Sequence, residues 1–312
     1  MLLRKALLKL AAVGSAIAIP ILDKRQGTTK GVNLGGWLVL EPWITPSIFH
    51  KYGGSVVDEY SLCQQDPNNA KGVLENHWSN WVTLSDFQRI ANSGKGINLV
   101  RIPVGYWAFQ KYGQDPYIQG AKEHLSQALK WASQTGLQVW IDLHGAPLSQ
   151  NGFDNSGQRT GNIQFGSGDT VSFMAKVAGQ VAKEFGSNPV VAGIELINEP
   201  MIASLPGGRG ALQQYYNQGY NQVKASYGGS VVISDGFADP SSWTGDMTDT
   251  IIDHHEYQCF KNEDLAMSYQ QHADAAYSRA ASWGNSDHRL ICGEWTAAMT
   301  DCAPALVSHR VF

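Results

Sequence analysis

Val190-Val191-Ala192-Gly193-Ile194-Glu195-Leu196-Ile197-Asn198-Glu199-Pro200 reads as a strand that carries a carboxylate to its exit. The run is nearly all apolar, as in strands covered on both faces, and the proline ends it. A residue ahead of proline is pushed to extended backbone, so Glu199 is expected extended at the strand's rim. A later run, Leu290-Ile291-Cys292-Gly293-Glu294-Trp295, has the same form and again delivers a glutamate.

Working outward, further strand-like runs are expected over 31–38, 97–104, 137–144, 230–235 and 250–255, beside 191–197 and 290–294. Helical periods lie between them. Leu84, Phe87, Ile90 and Ala91 follow the capping residue Thr83 and stop at Gly94; Leu125, Ala128, Leu129 and Ala132 share a face and stop at Gly136. Phe173, Val177, Val181 and Phe185 step by four before Gly186, and Leu212, Tyr216, Tyr220 and Val223 form another such face. Repeated strand and helix alternation places the chain in the α/β class, with a parallel sheet joined by right-handed crossovers. The expected architecture is a (β/α)8 TIM barrel whose eighth strand is missing, because seven strands are counted.

A length of 312 residues suits one such domain. A net charge of -4 with only 16% charged residues leaves no basic surface for a phosphate backbone, so nucleic acid is not an expected partner. The 10 Trp and 12 Tyr suit stacking on the apolar faces of sugar rings. Arg4 and Lys5, an apolar stretch over 6–19 and Ala16-Ile17-Ala18 read as a signal peptide over 1–18. Residues 19–25 read as a propeptide ending at Lys24-Arg25, which leaves 26–312 as the catalytic domain. No run is long enough to cross a membrane, so a secreted monomer, extracellular or in the cell wall, is expected. Cys63, Cys259, Cys292 and Cys302 permit two disulfides in any of three connectivities, although Cys292, inside a strand, also reads as an apolar filler.

Two glutamates at strand exits are what a two-carboxylate glycosidase on a barrel needs. Polar groups cluster at the same level of other strands: Arg101 in Leu99-Val100-Arg101-Ile102-Pro103, His144 in Ile141-Asp142-Leu143-His144-Gly145, and His255 with Tyr257 in Asp253-His254-His255-Glu256-Tyr257. A cation inside an apolar strand must be paired, and Glu294 is the expected partner of Arg101. His255 and Tyr257, two apart, are expected on one side of their strand. Asn198 supplies an amide for a sugar hydroxyl. The Gly- and Asn-rich loop over 145–168 follows a strand, where barrel sites are built. No metal or cofactor is expected, because the histidines and cysteines lack ligand spacing, and no serine-nucleophile elbow is present.

These residues carry a resemblance. Gly31-Val32-Asn33-Leu34-Gly35-Gly36-Trp37-Leu38-Val39-Leu40-Glu41-Pro42, the Arg101 strand, Leu143-His144-Gly145-Ala146-Pro147, Gln150-Asn151-Gly152-Phe153-Asp154, Asn198-Glu199-Pro200, His255-x-Tyr257 and Gly293-Glu294-Trp295 match in order. Over roughly residues 31–303 the chain resembles glycoside hydrolase family 5, in particular the fungal exo-β-1,3-glucanases. The resemblance implies Glu199 as acid/base and Glu294 as nucleophile, with Arg101, His144, Asn198, His255 and Tyr257 lining the reacting sugar's subsite and Trp295 beside it. It also implies Glu41 and Asp154 as binders of the terminal glucose, Phe153 and Phe260 as an aromatic clamp, and a β-glucan polysaccharide as substrate. Residues 303–312 depart from the family, whose members continue into an eighth strand with a tryptophan under the sugar, so a truncated product is expected. Two other readings remain at this stage. One is an endo-acting β-glucanase of β-1,6-glucanase or cellulase type, and the other is an inactive glucan-binding wall protein.

Overall fold

A computed structural model describes residues 28–300, apart from 244, 246, 248 and 284–286. The stretches expected to be a signal peptide (1–18) and a propeptide (19–25), Cys302 and residues 303–312 lie outside this span. All seven expected strands form: β1 (Gly31–Asn33), β2 (Leu99–Gly105), β3 (Gln138–Gly145), β4 (Val191–Glu195), β5 (Ser230–Ser234), β6 (Ile251–Glu256) and β7 (Arg289–Trp295). They pair in parallel in chain order. Helices α1 (Pro46–Phe49), α2 (Glu59–Gln65), α3 (Ala70–Trp81), α4 (Leu84–Ala91), α5 (Ala121–Thr135), α6 (Thr170–Phe185), α7 (Gly208–Lys224), α8 (Asn262–Leu265) and α9 (Tyr269–Ser282) complete the βα units. The result is a (β/α)8 barrel without its eighth strand among the described residues. β1 and β7 share no ladder there, and the Asn33 side chain spans the seam by donating to the Gly293 carbonyl at 2.7 Å.

The helix stops follow the sequence logic. Gly136 closes α5 in the left-handed region at φ +72°, its N–H bonded to the Ala132 carbonyl, and the Thr83 N–H and hydroxyl both donate to Asp86 at the start of α4. The α4 cap is Asn92, two residues before the expected Gly94. β1 is shorter than the expected 31–38, because Gly36 at φ +62° turns the chain away; only Leu38 returns, to a lone bridge with Val104.

Two apolar layers form. The larger lies between the sheet and its helices. The smaller joins Leu99, Trp140, Ala192, Val232 and Ile251 with part-buried Ile291, one from each of β2 to β7. Three of these, Leu99, Trp140 and Ile251, stand two positions before Arg101, Asp142 and Asp253. On a strand that spacing keeps one face, so the apolar layer lies directly beneath a polar one, like the stacked layers of a barrel interior.

Candidate active site

Arg101 organises the polar layer. It lies within β2 rather than at its end, and is almost fully buried. Its Nε and Nη2 donate to Glu195 at 2.7 and 3.0 Å, a forked pair that fixes the guanidinium plane. Nη2 also reaches Asn198 Oδ1 at 2.9 Å and Asp142 at 3.2 Å, while Nη1 reaches Asn33 Oδ1 at 3.2 Å and Glu294 Oε1 at 2.9 Å. The expected pair with Glu294 is therefore present, within a wider network. Burying an unpaired charge would be prohibitive, and here Asp142, Glu195, Asp253 and Glu294 face Arg101, His144 and His255.

Glu294 sits at the penultimate position of β7. Its Oε2 accepts from the Tyr257 hydroxyl at 2.8 Å and lies 3.5 Å from His255 Nδ1. Burial would raise its pKa, but His255, Arg101 and His144 together with the Tyr257 hydroxyl bring it down to about 2. The carboxylate is therefore ionised over the ordinary pH range. Burial and the Glu294 charge both raise the Tyr257 pKa, so its hydroxyl stays a donor.

Glu199 lies four residues beyond β4, which ends at Glu195. Its backbone is not extended: φ is +44°, an uncommon value for a residue with a side chain. Tertiary hydrogen bonds override the proline's local preference. Leu143 O accepts from Asn198 N at 3.1 Å, and Gln150 holds the segment from the β3 loop, its side chain donating to Asn198 O at 2.9 Å and its carbonyl accepting from Met201 N at 3.0 Å. The glutamate's Oε1 lies 2.9 Å from His255 Nδ1, and its Oε2 accepts from Asn155 at 2.8 Å. One oxygen of Glu199, one of Glu294 and a His255 nitrogen all fall within 4.8 Å of one another.

His144, near the end of β3, holds Asp142 through Nδ1 at 2.5 Å, and its Nε2 lies 3.4 Å from the Asn198 amide. Burial would lower its pKa, but Asp142 prevails and lifts it to about 9. His255 is likewise driven well upward, by Glu294 and Asp253 against burial. Glu41 accepts from Gly36 N at 2.9 Å and Trp43 Nε1 at 3.2 Å, and burial pushes its carboxyl up to about 7. Half-buried Asp154, in the β3 loop, is pushed up to about 6 by burial, with Glu199 close enough to add to the rise.

The expected hydrogen-bonded residues thus converge. Phe153 and Phe260 are exposed on the loops after β3 and β6, and no ring contact joins them among the described residues. Trp295 is 68% exposed at the end of β7, outside the network. Sequence reading missed Asp142, Glu195, Asp253, Asn33, Gln150 and Asn155. Charged residues inside Ile141-Asp142-Leu143 and Ile252-Asp253-His254 were the available signal, since such groups need partners.

Two acid and histidine triplets have cation-ligand spacing, Glu195 with Asp253 and His255, and Glu199 with His255 and Glu294. In the first, Arg101 Nε already lies 2.7 Å from Glu195 and 3.5 Å from Asp253. A guanidinium fills that space. In the second, His255 is bonded to Glu199, so the protein itself balances the charge. No disulfide links Cys63, Cys259 and Cys292 to one another. The two disulfides that the four cysteines permit would need one such link, and none is present among the described residues. Cys292 instead lies in β7, its Sγ 3.4 Å from the Glu294 carbonyl.

Residues 63–305 match the model of the cellulase family, glycosyl hydrolase family 5. The chain is 44% identical to glucan 1,3-beta-glucosidase 2 of Wickerhamomyces anomalus, over 90% of this chain and 68% of that protein. It is 43% identical to a probable glucan 1,3-beta-glucosidase A of Aspergillus niger, over 97% and 76%. Among solved structures, rutinosidase from Aspergillus niger superposes with a TM-score of 0.78 at 24% identity, over 88% of this chain and 82% of that one, a likeness of fold. With a matched model spanning most of the barrel and relatives well above 30% identity, the chain belongs to the cellulase family, glycosyl hydrolase family 5.

Proposed function

We propose that the chain is a retaining glycosidase that removes glucose from the non-reducing end of β-1,3-glucan outside the cell, in cell-wall glucan metabolism. The observation that carries this reading is the pair Glu199 and Glu294, with carboxylate oxygens within 4.8 Å and Glu294 held ionised. Retaining enzymes set their carboxyls about 5–5.5 Å apart, and inverting ones leave roughly 6.5–9.5 Å for a water. Glu199, in its neutral form, protonates the leaving oxygen while Glu294 attacks the anomeric carbon. Glu199 then takes a proton from water, which releases the sugar from Glu294.

The relatives' names support the β-1,3 linkage. Buried Glu41 and half-buried Asp154 beside the pair support a blocked, exo-acting pocket, with carboxyls available to hydroxyls of a terminal glucose. The signal-peptide reading supports secretion, and no helix among the described residues is long and apolar enough to cross a membrane.

Proton NMR of a linear β-1,3-glucan digest tests the reading. The expected first product is β-glucose, and Glu294→Ala is expected to lower turnover of an aryl β-glucoside by on the order of 10⁴-fold. First-formed α-glucose would overturn retention, and early oligomers would overturn exo action.

A further inference from the structure

β6 and β7 do not run in simple register. His254 lies opposite Cys292 but His255 lies opposite Glu294, so Gly293 is the extra residue of a bulge. Its backbone N–H and its carbonyl are each held by a side chain. Gly293 N donates to Asp253 Oδ1 at 2.6 Å, and Gly293 O accepts from Asn33 Nδ2 at 2.7 Å. The fit admits no side chain, since a Cβ on Gly293 would stand 2.1 Å from both Asp253 carboxylate oxygens. Asp253 is fully buried on β6, and its second oxygen faces Arg101 Nε at 3.5 Å and His255 Nε2 at 3.4 Å. Asn33 in turn accepts from Arg101 Nη1 through its own Oδ1, and the same nitrogen donates to Glu294.

A bulge re-aims the side chain that follows it. Here that side chain is Glu294. We infer that Asp253 and Asn33 are positioning residues for Glu294: by clamping the backbone N–H and carbonyl of Gly293 from β6 and β1, they set the bulge that turns this carboxylate onto Arg101 and opposite Glu199. Their side chains bond Gly293 and face Arg101, and neither is hydrogen-bonded to Glu199 or Glu294 among the described contacts. Asn33 acts at the place where β1 and β7 share no ladder, and so fixes across the seam what backbone pairing fixes elsewhere in the sheet. The functional consequence rests on Glu294 being the nucleophile, whereas the placement itself does not.

The test uses the full chain with Asp253→Ala, Asp253→Asn and Asn33→Ala. Each is read by thermal melting, by kcat and KM on an aryl β-glucoside, and by a crystal structure. A nucleophile displaced by about 1 Å loses on the order of 10²-fold in rate. Asp253→Ala is expected to lose that much in kcat with KM within about threefold, and to show the Glu294 carboxylate moved off Arg101. Asp253→Asn keeps an oxygen for Gly293 N and is expected to recover most of kcat. If Asp253→Ala does not fold, part-buried Asn33→Ala carries the test, with the same kcat loss at unchanged KM. A folded Asp253→Ala or Asn33→Ala protein whose Glu294 stays on Arg101, or whose kcat is unchanged, overturns the inference. An inactive parent chain in which Asp253→Ala still displaces Glu294 would sink the glycosidase reading and leave the clamp standing.

Discussion

At the residue scale, His255 couples the two proposed catalytic carboxylates. Its Nδ1 bonds Glu199 and faces Glu294, and it is the largest of the charges that lower the Glu294 pKa. Removing that charge destabilises the Glu294 carboxylate, so its pKa must rise. The acid limb of kcat/KM reports the free enzyme's nucleophile. With Glu294 at about 2, the limb is expected near that pH in the parent and higher by about one unit or more in His255→Asn. A limb that does not move would show that His255 is uncharged or remote from Glu294 in solution. The sign for folding follows from the same depression: Glu294 stabilises the fold above pH 4.5, its ordinary value, and that contribution is lost as pH falls through about 2. Glu199, Glu294 and Arg101 were legible in the sequence because a charged group at the end of, or inside, an apolar strand needs a reason. Asp253 and Glu195 carried the same signal, but their meaning lies in contacts from β2 and β7, and spacing along one strand cannot name those partners.

At the scale of elements, near-continuous apolar runs gave the strands away, and glycines closing periodic faces did the same for α5 and α6. α3 and α9 were less legible; among the described residues α9 buries no side chain, so its sequence carries little apolar stripe. The backbone of Glu199 was misread because proline's local preference yields to the β3 loop. Gln150 is the physical reason. Fully buried, it donates to the carbonyls of His144 and Asn198 at 2.9 Å each and accepts from Ala146 N at 3.0 Å. It therefore staples the exit of β3 to the segment that carries Glu199. Gln150→Ala strands three buried polar groups, each costing about 1–3 kcal/mol at full exposure of the penalty. The expected drop in thermal midpoint is roughly 5 °C or more, with activity falling as Glu199 relaxes from its positive φ. An unchanged midpoint would mean that water replaces the amide without loss.

At the scale of the whole molecule, stability is unevenly spread. β2 is buried along its whole length and paired on both sides, whereas β7 is paired only with β6 among the described residues, and both its end residues are exposed. Local opening follows burial and pairing, so among the described residues the β7 edge of the sheet is expected to open most readily. Hydrogen exchange followed by mass spectrometry is expected to show β7 amides exchanging roughly tenfold or more faster than those of β3 and β4. The proposed nucleophile stands on that strand, and the proposed acid/base stands beyond well-buried β4. A glucose-shaped cationic inhibitor lying between Glu199 and Glu294 would tie the weak strand to the strong one. Anything that binds only the closed arrangement stabilises it by mass action, so saturating inhibitor is expected to slow β7 exchange selectively and leave β3 and β4 as they were. Uniform slowing across the sheet would instead mean that the barrel opens as one unit, with the nucleophile strand no looser than the rest.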